Sequence, residues 1–205
     1  WNDLARDRSV DKATNMRGGN LGFLGPDGAS NEAGVRVDAA TVEKALKEWE
    51  VVFSRLPRID AVFVPGGDPG HTHPKHMLPF LEKQAASLRR HHPRAEMWVS
   101  PQGFDAKWLQ VFLDILKNEQ PTWLNGVVHG PQVRLSLPEL RDAVPKKYKL
   151  RMYPDITHSR QCQYPAPNWD VAFATTEGRE AINPRPMSHA HLLRTLAPHS
   201  DGFIT

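Results

Sequence analysis

One cysteine, Cys162, stands in 205 residues, so no disulfide can form within the chain and packing alone must hold it together. No run reaches the roughly 20 consecutive apolar residues that a membrane-spanning helix needs. The charge of either sign is nearly balanced: 26 Lys and Arg against 23 Asp and Glu leave a net +3. The tight basic pairs are Arg89-Arg90 and Lys146-Lys147, which do not make the stripe that a nucleic-acid backbone requires. No G-x-G-x-x-G or G-x-x-x-x-G-K loop follows any apolar run, so the strongest mark of a nucleotide fold is missing. These absences turn expectation away from a membrane span, a nucleic-acid partner and a bound cofactor. What is there is ordinary globular material, 40% hydrophobic and 24% charged, and enough of it to bury a sizeable core. The chain starts at Trp1 with no signal-like region and stops on the apolar "SDGFIT". Residues 1–205 are accordingly expected to form a single domain cut at both ends.

Apolar runs rich in β-branched and aromatic residues recur at 59–64, 97–99, 126–129, 150–153, 171–174 and 202–205, with a weaker one at 21–24. Helical patterns lie between most of them. Asp38 is placed to cap a helix carrying Val42, Ala45, Leu46, Trp49, Phe53 and Leu56 at three- and four-residue spacing. Pro74 can open a second, with Met77, Leu78, Leu81, Ala85 and Leu88 on one face. Asp105, Ser136 and Ser188 are the expected caps of three more. Trp49 and Trp108, on apolar helix faces, are expected in the core. Alternating strand and helix implies a parallel sheet in an α/β fold. Six or seven such units without a phosphate loop suit a (β/α)8 TIM-type barrel, of which this chain would be a truncated portion.

Four of the strands finish alike, in "VFVPGGD", "MWVSPQG", "VVHGPQV" and "RMYPDIT". Each proline lacks an N–H for the ladder and ends its strand. Asp68, Gln102, Gln132 and Asp155, each straight or shortly after its proline, then fall at equivalent places, at the carboxyl ends where parallel β/α sheets bind ligands. Asp68 and Asp155 are the candidate catalytic pair, since breaking a glycosidic bond takes two carboxylates, one to protonate the leaving oxygen and one to attack, activate water or position an attacking group. Glu177 is a third possible acid. Gln102, His129, Tyr153, His158, Gln161, Trp169 and Arg185 are candidate substrate contacts, through aromatic faces or groups that bond hydroxyls.

The run "VFVPGGD" resembles the strand-end motif of the retaining β-hexosaminidase glycoside hydrolases, in which Gly-Gly-Asp-Glu supplies an orienting Asp and an acid Glu. The resemblance gives Asp68 the orienting role, and Pro69 stands where the acid would be. The strand ends "SPQGF" and "YPDITHSRQCQYPAPNWD" are similar to barrel proteins of polysaccharide-degrading bacteria, which would place the protein outside the cytoplasm, secreted or periplasmic. A carbohydrate is then the expected partner. Two alternatives follow from the residues. Loss of the acid suits a catalytically inactive glycan-binding barrel. The pair His71 and His73, with His129, His158 and Asp155, resembles the ligand set of metal-dependent amidohydrolase barrels, although His71 lies well beyond its strand, so no metal is expected. His91, His92, His189, His191 and His199 read as structural. The oligomeric state is left open by the sequence.

Overall fold

The computed structural model of the protein describes residues 39–67, 72–153 and 186–204. Helix α1 (Ala39–Arg55) leads into β1 (Ala61–Val64), followed by α2 (Pro74–His91), β2 (Glu96–Val99), α3 (Ala106–Asn118), β3 (Gly126–His129), α4 (Leu137–Ala143), β4 (Lys149–Met152), α5 (Pro186–Leu196), a 3₁₀ turn (Ala197–His199) and β5 (Gly202–Phe203). All four strand pairings are parallel, and the order is β1-β2-β3-β4-β5. A doubly wound sheet reverses its strand order at a switch point. Here each unit advances in the same direction, as in a barrel, and the five strands curl into about half of one. The expected strands at 21–24 and 171–174 lie outside the described residues.

Register separates the two faces. Val62 pairs with Met97, Val64 with Val99, Val99 with Val127, and Val127 with Leu150. These side chains join Leu81, Leu88, Phe112, Leu116 and Leu140 in the core between sheet and helices. Burying a side chain of this size stabilises by about 1.5–3 kcal/mol. Phe63, Trp98, Val128 and Arg151 alternate onto the other face, the concave one. There Trp98 is fully buried. The Arg151 guanidinium lies 4.0 Å over its ring, and its Nε1 donates to Glu96 Oε2 at 2.9 Å. Gly126 makes room for the indole, since a Cβ there would come within 2.2 Å of the ring.

Two of the expected helix caps are in place, and a third, Asp38, lies outside the described residues. Asp105 Oδ1 accepts from the Trp108 N–H at 2.7 Å, and Ser136 with Glu139 forms a full capping box. Two expectations fail. Helix α5 begins at Pro186, so Ser188 is inside its first turn and is not its cap. Trp49 is 43% exposed, and Leu56 46%; of the apolar face expected on α1, Phe53 alone is buried. An outer helix can instead be held by polar bonds. Glu50 accepts from the Ser87 hydroxyl, from Arg90 Nη2 at 2.5 Å and from His91 Nε2 at 2.6 Å, while His92 Nε2 donates to the Phe53 carbonyl at 2.8 Å. Those donors, the Ser87 hydroxyl foremost, pull the Glu50 pKa down to about 2.

Candidate functional site at the carboxyl ends of the strands

Beyond the last strand residues the ladder runs on by one bond, with the Ser100 N–H donating to Val64 O at 2.9 Å and the Tyr153 N–H to His129 O at 2.8 Å. The alternation of faces therefore persists, and Ser100, Gly130 and Tyr153 all stand on the concave side. The Gly67 N–H donates to Gln102 O at 2.8 Å, which ties the loop after β1 to the loop after β2. Gly66 has φ +58°, and a Cβ there would lie 2.0 Å from Ser100 O, so only glycine fits. Tight packing of these loops makes one continuous rim.

The centre of the rim is polar and buried. Ser100 is 0% and Gln102 7% exposed. The Ser100 hydroxyl accepts from the Gln102 N–H at 3.2 Å. A Cβ on Gly130 would lie 2.9 Å from Gln102 Oε1, 3.3 Å from Ser100 Oγ and 3.7 Å from Tyr153 Cδ1. Gly130 is thus a notch, with an amide, a hydroxyl and an aromatic ring around it. Of the three, Tyr153 is half-buried and Gln102 keeps a small exposed edge, so these two, and not the fully buried Ser100 hydroxyl, can meet a ligand's apolar face and hydroxyl groups.

Gln102 and Gln132, each three residues past a strand end, are not equivalent. Pro101 to Phe104 form a turn closed by Phe104 N–H to Pro101 O at 3.2 Å, with Gly103 at φ +74° in its third position. Gly130 to Val133 form the corresponding turn one step earlier in phase, closed at 3.4 Å, and Gln132 takes the third position at φ +60°. That shift buries Gln102 and exposes Gln132. Equal spacing along the chain therefore leads to different places on the rim.

His129 is 2% exposed and shares its face with Met152, its partner in the β3–β4 register, which puts it among the core side chains and away from the concave face. Its Nε2 donates to Leu135 O at 2.9 Å, and burial pushes its pKa down. The expectation that His129 contacts substrate gives way here: it anchors the loop between β3 and α4. His73 is likewise engaged. Its Nδ1 accepts from the Lys75 N–H at 3.2 Å at the start of α2, and its ring packs against Trp108 at 5.0 Å. Burial first, then the charge of His76 and Lys75, lowers its pKa. Among the described residues no group of three His, Cys, Asp or Glu side chains is arranged to hold a metal ion.

Asp68, Asp155, His158, Gln161, Trp169 and Arg185 lie outside the described residues, as do His71 and Glu177. Of the expected contacts, the structure brings Gln102 and Tyr153 together around Gly130. Ser100, Gly130 and Phe63 were not among the expected residues. The signal for the first two was present, since a small residue follows both "WV" and "VH" directly, where the strand's last inward position falls. Comparison with known protein families, with curated proteins and with solved structures finds no match to the chain.

Proposed function

We propose that the protein acts on a glycan at the carboxyl-end rim of a (β/α)8 barrel, as a glycoside hydrolase or a close relative. The observation that carries this reading is the notch at Gly130, where the Gln102 amide, the Ser100 hydroxyl and the Tyr153 ring meet. A sugar offers hydroxyls at its edge and C–H groups on its face, which the Gln102 amide and the Tyr153 ring can answer, with Ser100 buried beneath them. The required carboxylates are Asp68 and Asp155. In the sequence they follow Gly67 by one residue and Tyr153 by two, so neither is more than two peptide units from a residue of the rim. One would protonate or orient and the other would attack, activate water or hold an attacking substrate group, as cleavage of a glycosidic bond demands. The metal-dependent alternative has less support, because His73 and His129 are engaged in a helix cap and a loop anchor.

The test is turnover. Asp68→Asn and Asp155→Asn should each reduce hydrolysis of a glycan substrate by roughly a hundredfold or more while the melting temperature holds, which is the usual weight of an acid–base group. An unmutated protein that binds glycans without cleaving them would make it a binding barrel. Unchanged hydrolysis in both variants would remove the two carboxylates from the mechanism.

A further inference from the structure

Phe63 has no part in the reading above, yet its ring makes a contact that the fold does not offer for free. It faces the concave side from β1 and meets Tyr153, just past β4, with ring centroids 6.4 Å apart and planes at 66°. Two strands lie between them. In a flat sheet with strands about 4.8 Å apart, their Cα atoms would be separated by roughly 19 Å, about 14 Å across the strands and about 13 Å along them, since Tyr153 stands four residues past Lys149, the β4 residue in register with Phe63. Curling of the sheet brings the two rings together. Trp98 and Ser100 on the same face are 0% exposed, whereas Phe63 and Tyr153 each stay half-buried. Among the described residues these two rings are the aromatic surface that the upper part of the concave face offers to a ligand, with Ile204, which continues the ladder beside Tyr153, half-buried on the same face.

At 66° the rings cannot both lie flat against one planar face. In such a pair the electropositive edge of one ring meets the electronegative face of the other, and the contact fixes their angle. Tyr153 is the ring beside the polar notch, 3.7 Å from the Cβ position of Gly130, with Gln102 Oε1 2.9 Å from that same point. Phe63 meets the Tyr153 ring and is not among the atoms nearest the Gly130 Cβ position. We infer that Tyr153 is the platform for one sugar ring and that Phe63 is a positioning residue which sets the platform's angle. With Gln102 over Gly130, the three side chains define a subsite that grips a single pyranose by its C–H face and one hydroxyl-bearing edge. This inference rests on the glycan reading and adds to it a residue and a substrate geometry.

The experiment is calorimetric titration of the protein with soluble oligosaccharides of glucose, mannose, xylose and N-acetylglucosamine, repeated on Phe63→Leu, Phe63→Tyr and Tyr153→Leu. For the oligosaccharide that the unmutated protein binds, Tyr153→Leu should weaken binding by roughly tenfold and Phe63→Leu by about three- to tenfold, the scale of an aromatic contact. Phe63→Tyr, which keeps the ring, should restore binding to within about twofold on the same ground. If that oligosaccharide is also cleaved, Phe63→Leu should raise KM and leave kcat unchanged. Binding by Phe63→Leu equal to that of the unmutated protein would overturn the inference and leave the glycan reading standing. Equal losses in Phe63→Leu and Phe63→Tyr would also overturn it, by showing that side-chain volume and not the ring matters. If Phe63→Leu does not fold, Phe63→Met replaces it in the same comparison with Phe63→Tyr. No binding of any of the four series by the unmutated protein would bring down the glycan reading and the inference together.

Discussion

Gly66 packs so closely on the strand beside it that a Cβ would lie 2.0 Å from the carbonyl oxygen of Ser100. The obstacle is backbone, so no rotamer change relieves it, and φ +58° adds a conformational cost of about 1–2 kcal/mol for any other residue. Gly66→Ala should therefore destabilise by more than about 2 kcal/mol. Gly126→Ala, which drives a methyl into Trp98 and the Lys149 carbonyl, should cost as much at the opposite end of the strands. Urea unfolding measures both. A loss below about 0.5 kcal/mol in either, the range of an ordinary surface substitution, would mean that the close approach is absent in solution.

Two positions carry strain that glycine would remove. Gln120, just past α3, has φ +50°, and Gln132, after Pro131, has φ +60°. Proline followed by glycine suits a turn with positive φ at its third position, and glycine is the common residue after a helix end. Gln120→Gly and Gln132→Gly should each raise stability by about 0.5–1 kcal/mol, less than the full strain because glycine also loosens the unfolded chain. Thermal melts of the single variants check this. A lower melting temperature in both would contradict the left-handed assignment.

The pH dependence of stability follows from two imidazoles, His129 buried and His73 half-buried. Burial is the leading cause that lowers the pKa of both His73 and His129 in the folded protein. In the unfolded chain they take up protons near the ordinary value of 6.5. As pH falls below about 6.5, the unfolded state binds more protons than the folded state, so stability declines until the folded-state values are passed. Above that window neither histidine contributes a slope. The melting temperature should thus be lower at pH 5.5 than at pH 7.5, and His129→Gln should flatten part of the difference. A melting temperature that holds or rises on acidification through this range would refute the account of both groups. Glu50 acts at lower pH: its contribution is present above the usual carboxylate value of 4.5 and is lost as pH falls toward about 2.

Much of the architecture was legible because the relevant rules are local. Asp105 and Ser136 cap helices with their own side chains within three residues, and the prolines at 65, 101, 131 and 154 mark strand ends. The side of the sheet on which His129 falls was not legible. All four residues of β3 are buried, and a strand covered on both faces shows no alternation from which to set its phase. Trp49 was misplaced because a helical apolar stripe reports amphipathicity but not what covers it, and α1 is secured through Glu50 and the end of α2. The difference between Gln102 and Gln132 came from a one-residue shift in turn phase that spacing cannot register. The contact between Phe63 and Tyr153 depends on the curl of the sheet, which no short stretch of sequence encodes.

The central claim is that a glycan sits at the carboxyl-end rim, and amide chemical-shift mapping during titration with a soluble oligosaccharide tests it most directly. The account predicts that the largest shifts fall on Gly67, Ser100, Gln102, Gly130 and Tyr153, with Glu96, Asn125 and Lys149 at the amino ends of the strands unmoved. Shifts centred on those amino-end residues, or no shifts with any of the four oligosaccharide series, would contradict it.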